Sequence, residues 1–351
     1  MISFYPGPSR TYDAIPAYVK DAAKTGVLSM NHRSKECMAL VKNTLQEMRT
    51  KLSIPSSYTI LFTSSATECW EIIAQSLIKE QSIHLYNGAF GKKWFDYTRA
   101  IKPRALRDPF AVNHSLIPNE LSYDQGDTIC ITQNETSNGT QVHSSIIRGI
   151  KKKNPNHLIA VDATSSLGGI DLDFACADVW FASVQKCLGL PAGLGIMICS
   201  PKAIKRAQQV GETLHYNSLI NQIAMIKKFQ TTHTPNVLGI YLLYRVLQVA
   251  PTIQVIQKRI KQQAAEYIKT IKRIPALELY ENNATILSDT VITVKGNESL
   301  IKKIKTKAKS VGLLLGEGYG ELNETTFRIA NFPALNKKEI KALKVFLEQL
   351  T

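Results

Sequence analysis

Six short apolar runs, each leading into a polar segment, constrain this chain more than any other feature. They span residues 58–63, 82–86, 127–132, 157–161, 179–182 and 195–199. Each is too short for a buried helix, several are rich in β-branched residues, and helical stretches or loops separate them. That pattern reads as buried strands of a mainly parallel sheet with crossover helices, an α/β fold. Open sheets of this kind bind ligands at the carboxyl ends of their strands. The residues delivered there are Thr63-Ser64-Ser65-Ala66-Thr67, Asn87-Gly88-Ala89-Phe90, Asn134-Glu135-Thr136, Asp162 and Ser183-Val184-Gln185-Lys186.

Around these strands the periodicity predicts helices at 36–52 and 68–79. A break follows at 231–235. Beyond it lie one long helical pattern over 237–272, a strand at 290–294, a helix at 298–311, a strand at 326–329 and a final helix at 336–350. With fewer strands mixed among helices, this second part reads as a smaller α+β domain. A length of 351 residues also suits two domains.

The net charge is +15, but its distribution argues against a nucleic-acid binder. Such proteins concentrate basic residues in a stripe or arm with aromatics between them. Here the lysines are dispersed. Lys151-Lys152-Lys153 reads as a solvated loop, and the segments 302–309 and 337–344 read as solvent faces of helices. A diffuse basic field suits attraction of anionic substrates. The six cysteines form no C-x-x-C pair and mostly sit in apolar patterns, which points to reduced thiols in a cytoplasmic protein without disulfides or a metal site. The first residues lack the charged and apolar regions of a signal peptide. No apolar run reaches the ~18 residues of a membrane span, so no membrane partner is expected.

Five features carry chemistry. Lys186 follows an apolar strand and precedes Gly189, Pro191, Gly193 and Gly195. A lysine there either snorkels out of the sheet edge or is a desolvated amine suited to a Schiff base. Asp162 ends the preceding strand; it either caps a turn or pairs with a protonated ring nitrogen. Ser64-Ser65-Ala66-Thr67-Glu68 joins strand to helix, as an ordinary capping sequence, a phosphate cup, or both. Phe90, in a glycine-flanked loop, is placed to stack on a flat ring or to join the core. Arg33 and Arg328 stand where a carboxylate clamp or a structural salt bridge would put them.

Taken in order, the chain resembles the class V aminotransferases of the aspartate-aminotransferase fold type. The matching stretches are Pro6-Gly7-Pro8, His32-Arg33, Ser65-Ala66-Thr67-Glu68, Gly88-Ala89-Phe90, Asn134-Glu135-Thr136, Val161-Asp162, Gln185-Lys186 with the glycines that follow, Thr234-Pro235 and Arg328-Ile329-Ala330-Asn331. Within that class it looks closest to the phosphoserine aminotransferases. The resemblance implies a PLP-dependent transferase fold with a seven-stranded, mainly parallel sheet. Residues 16–240 would form the cofactor domain, and residues 1–15 with 241–351 the small domain. It implies pyridoxal 5'-phosphate as cofactor, held by Lys186 as a Schiff base, with Asp162 on the ring nitrogen, Phe90 stacked on the ring and Thr136 near the ring hydroxyl. Ser65, Ala66, Thr67 and Gln185 would bind the phosphate. His233 and Thr234 would reach the phosphate of a neighbouring subunit, making a homodimer with shared sites. Arg328 would clamp the substrate carboxylate, and His32 and Arg33 would offer a further anion site.

Gln185 stands where cysteine desulfurases of this fold usually carry His, which favours transamination. The family's His-Arg pair ahead of the carboxylate-binding arginine is replaced by Gly318-Tyr319-Gly320-Glu321. The resemblance implies phosphoserine and 2-oxoglutarate as substrates, in serine biosynthesis, whereas Glu321 in that stretch would repel a substrate phosphate. The alternative is serine or alanine with glyoxylate or pyruvate. A PLP lyase and a basic binding protein without chemistry remain as further readings.

Overall fold

The apolar runs do form one sheet, and the computed structural model describes residues 1–350 of it and its surroundings. Its strand order is Thr59–Thr63, Gly195–Cys199, Val179–Ser183, Leu158–Asp162, Thr128–Thr132, Ser82–Tyr86 and Leu106–Pro109. Gly195–Cys199 runs antiparallel to both its neighbours, and every other pair is parallel. The central strands are buried along their whole length, as expected for a sheet covered on both faces. The seventh strand, Leu106–Pro109, is an edge strand of mixed polarity, and no hydrophobic pattern marks it.

A second sheet holds Ile2–Phe4, Leu313–Glu317, Thr326–Ala330, Val291–Lys295 and Glu278–Leu279 in that order. Ile2–Phe4 pairs parallel to Leu313–Glu317, so the chain's first strand belongs to the carboxyl-terminal sheet. Each sheet has its own hydrophobic core. The helix Ile253–Ile271 serves both, giving Ile253, Ile256 and Ile260 to the first and Ala264, Tyr267 and Ile271 to the second.

Two expectations need correction. The helical pattern over 237–272 is not one helix. Val237–Val249 and Ile253–Ile271 meet at 85°, with Pro251 in the break. Proline has no N–H for the helix ladder and pushes the residue before it out of helical backbone. Ala250 is accordingly extended. Likewise Lys151-Lys152-Lys153 is no loop but the last turn of the helix Ser144–Lys153. Basic residues suit that end of the helix dipole, and Lys151 Nζ sits 2.9 Å from the buried Asp178 Oδ1. No single helix among the described residues is long and apolar enough to cross a membrane.

Candidate active site

The carboxyl ends of the parallel strands open into a cavity of about 380 Å³, within the ~300–1,000 Å³ typical of small-molecule sites. Register creates it. Thr132 pairs with Asp162, so these two strand ends stop at one level, and Val179–Ser183, in which Phe181 pairs with Asp162, runs two residues further. Residues 5–8 cover the cavity from the amino-terminal segment, and Gly318, Tyr319 and Arg328 reach it from the second sheet.

Lys186 lies at its floor and is buried. Its Nζ donates to Thr136 Oγ1 at 2.7 Å and Ser165 Oγ at 2.9 Å, and those two hydroxyls are 2.5 Å apart. Burial draws the lysine pKa down to about 8, against the opposing pull of the Asp162 and Glu135 carboxylates. Gly7 has φ +153° and packs on the lysine stem; a Cβ there would stand 3.0 Å from Lys186 Cε. Asp162 is also buried, which raises its pKa, and its Oδ1 accepts from the Thr164 amide at 2.9 Å, which opposes the shift.

The helix Ala66–Ser76 starts at the same edge. Ser65 is its N-cap, and its Oγ accepts from the Glu68 amide at 3.1 Å. The Ala66 amide donates to Ser183 Oγ at 2.7 Å. Of the first-turn amides this leaves that of Thr67, which has no acceptor in the protein among the described residues.

Phe90 is not in a loop but in the first turn of the helix Ala89–Ile101. What fixes it there is Glu135. This buried carboxylate accepts from the amides of Phe90 (3.3 Å), Gly91 (3.1 Å) and Ser137 (3.0 Å), and from Ser137 Oγ at 2.5 Å. Gly88 permits its close approach, because a Cβ there would fall 2.3 Å from Glu135 Cγ. The Phe90 ring centre lies 5.1 Å from Lys186 Nζ and 5.0 Å from the Tyr319 ring.

Arg328 is 5% exposed and forms no salt bridge among the described residues. Its Nε donates to Glu317 O at 2.7 Å and its Nη1 to Thr136 O at 2.8 Å. Burial lowers its pKa. A buried guanidinium held by two carbonyls and no carboxylate is poised for an anionic ligand.

The structure thus gathers Ala66, Thr67, Phe90, Thr136, Asp162, Gln185, Lys186 and Arg328 on one cavity, with the capping Ser65 just behind its wall. It leaves His32, Arg33, His233 and Thr234 off that wall. These four come from two neighbouring segments, since Arg33 Nη1 lies 3.4 Å from Gln230 Oε1. The His233 ring stands edge-on to Tyr216 at 5.8 Å, and the Tyr216 hydroxyl donates to Glu68 Oε1 at 2.8 Å.

A cavity at the strand ends, with a buried lysine, aspartate and arginine on separate walls, matches a known family. The sequence fits the profile of the class-V aminotransferases over residues 6–88 and 100–315. The chain belongs to this family. Among curated relatives of this class-V aminotransferase, the phosphoserine aminotransferase of Rhodococcus opacus is 26% identical over 96% of the chain and 91% of the relative. A solved phosphoserine aminotransferase from Cytophaga hutchinsonii is 31% identical, with a TM-score of 0.93 over 99% of this chain and 98% of that one. An aspartate aminotransferase from Thermus thermophilus shares the fold, with a TM-score of 0.86 over 100% and 99% of the two chains at 19% identity.

Sequence reasoning about the class-V aminotransferase missed Thr132, Thr164, Trp70 and Lys93 on the cavity wall and Ser165 behind it, and it gave no contact to Glu135 or Tyr319, whose segments it had placed near the site. Thr132 and Thr164 were within reach of it, as they flank strand ends already singled out. The contact of Tyr319 with Phe90 was not, because only the packing of one sheet on the other brings the two rings together.

Proposed function

We propose that this class-V aminotransferase uses pyridoxal 5'-phosphate to exchange an amino group between phosphoserine and 2-oxoglutarate. The observation that carries the reading is Arg328, a buried cation with no carboxylate, across the same cavity from a buried lysine. The relatives' names supply the substrate.

The residues suit the cofactor. Thr132 Oγ1, Thr164 Oγ1 and Gln185 Oε1 are buried polar atoms without a partner, and all three residues border the cavity. Groups of that kind call for a polar ligand. The Thr67 amide and hydroxyl, beside Ala66 and the Ser65 cap, would take the phosphate with Gln185. His233 and Thr234 would take that of a second subunit in a homodimer. Asp162 would hold the ring nitrogen, Thr136 the ring hydroxyl and Phe90 the ring face. When bound, the cofactor supplies an electron sink for charge developing at the substrate α-carbon.

Lys186 Nζ would anchor the cofactor and then carry the proton from the substrate α-carbon. A pKa of about 8 leaves a useful fraction of free amine near neutrality. Arg328 would fix the α-carboxylate, and His32 and Arg33 would offer a further anion site. Residues 16–240 would carry the cofactor, with 1–15 and 241–351 closing over it. Six buried free cysteines suit a cytoplasmic enzyme of serine biosynthesis.

A second reading has one observation in its favour. Of the Gly318-Tyr319-Gly320-Glu321 stretch, Gly318 and Tyr319 line the cavity and bring it no basic residue, and Glu321, two residues on, is exposed. This fits an unphosphorylated donor such as serine or alanine with pyruvate or glyoxylate.

Absorbance tests both. The loaded protein should show a band near the visible edge that phosphoserine bleaches and 2-oxoglutarate restores, and Lys186→Ala should abolish the band. Bleaching by serine or alanine alone would transfer the assignment to the second reading. A wild-type protein without the band would sink both.

A further inference from the structure

The phosphate end of the cavity poses a charge problem. No basic residue lies between Ser64 and Glu68. The Glu68 carboxylate folds back over the same turn, accepting from Ser64 N at 2.6 Å and Ser64 Oγ at 2.8 Å. A phosphate dianion at this turn would meet neutral donors, a helix amino end worth about half a charge, and a nearby carboxylate.

Three cations border the cavity. Lys186 is fixed at the floor by Thr136 and Ser165. Arg328 is held by carbonyls on the side of the second sheet. The third is Lys93, which the reading above leaves without a role. It lies three residues after Phe90 on one helix, so the two share a face. It is exposed and makes no ion pair among the described residues, while its neighbour Lys92 is paired with Asp96 at 2.7 Å. The Lys93 ammonium lies 5.7 Å from the Tyr97 ring centre, and Tyr97 tilts against Trp70 at 5.7 Å. Trp70 is one turn beyond Thr67 on the Ala66–Ser76 helix. Lys93 therefore stands on the side of Phe90 that faces this helix.

We propose that Lys93 is the counter-cation of the phosphate bound at the amino end of the Ala66–Ser76 helix. Its long stem lets the ammonium swing from Tyr97 onto a phosphate oxygen, supplying the full positive charge that the turn lacks. The inference rests on the cofactor reading given above, and the phosphate is taken to be that of the cofactor. A phosphorylated substrate is the other source of the same chemistry.

Binding of pyridoxal phosphate and of pyridoxal, which lacks the phosphate, separates the cases. Equilibrium dialysis or tryptophan quenching on the apoprotein reads both. Lys93→Met should weaken pyridoxal phosphate about tenfold or more, the loss of one charge-assisted contact. Pyridoxal affinity should stay unchanged, and Lys93→Arg should restore most of the loss. Unchanged affinity for pyridoxal phosphate in Lys93→Met overturns the inference, and so does an equal loss for pyridoxal. Retained cofactor affinity with a raised KM for phosphoserine alone would assign the lysine to the substrate, and overturns it too. A wild-type protein that binds no pyridoxal phosphate is a different result: it removes the cofactor reading, and this inference with it.

Discussion

Burial at Lys186 has a consequence for the protein without cofactor. The folded chain loses the lysine proton near pH 8, whereas the unfolded chain holds it to about 10.5. Below pH 8 the fold carries the full cost of a desolvated charge. As pH rises between those values, the unfolded state binds more protons than the folded one, and stability increases. Lys186→Met should therefore stabilise the apoprotein at pH 7 by about 1–3 kcal/mol. That advantage should fade as pH rises from 8 towards 10. Urea unfolding at a series of pH values measures it, and an advantage that grew with pH would contradict the assignment. The positions of Lys186 and Asp162 were legible in the sequence because Asp162 ends a buried strand and Lys186 follows just past one, Val179–Ser183. Thr136 was legible as a position for the same reason, but its bond to Lys186 was not. A hydroxyl's partner depends on angstrom-scale placement that no spacing encodes.

Elements show the same division. The central strands stood out because parallel strands buried on both faces are continuously apolar. Leu106–Pro109 and Ile2–Phe4 are short edge strands that lack that signature, and they emerged only from pairing. The start of the Ala89–Ile101 helix was hidden for another reason. Gly88 has no capping side chain, and the capping group is Glu135, 45 residues after Phe90. A cap supplied at that distance leaves no local motif. It also makes this helix start vulnerable. Glu135→Gln keeps the shape but replaces one acceptor oxygen with a donor, facing amides that can only donate. The change should cost about 1–3 kcal/mol, read as a lower midpoint in urea unfolding, and it should loosen Phe90. An unchanged midpoint would show that the carboxylate is dispensable there.

For the whole molecule, the architecture was readable and the meeting of its parts was not. Alternating strands and helices foretold the larger sheet, but nothing foretold that the helix Ile253–Ile271 would serve two cores, and Pro251 alone signalled the 85° break between it and Val237–Val249. Assembly belongs to this scale as well. His233 and Thr234 lie off the cavity, so their proposed role requires a second subunit. Sedimentation should give a particle of twice 39.1 kDa. His233→Ala should weaken pyridoxal phosphate without changing that mass. A monomer that binds the cofactor at full strength would refute the shared site.

The chain's opening residues tie these scales together. Ile2–Phe4 is stitched to Leu313–Glu317, Gly7 rests on the Lys186 stem, and the Ser9 amide donates to Gln185 O at 3.0 Å. A purification handle fused ahead of Met1 would hang a few residues from the reactive amine. A protease nick in this stretch would unpick a sheet edge and uncover that amine at one stroke.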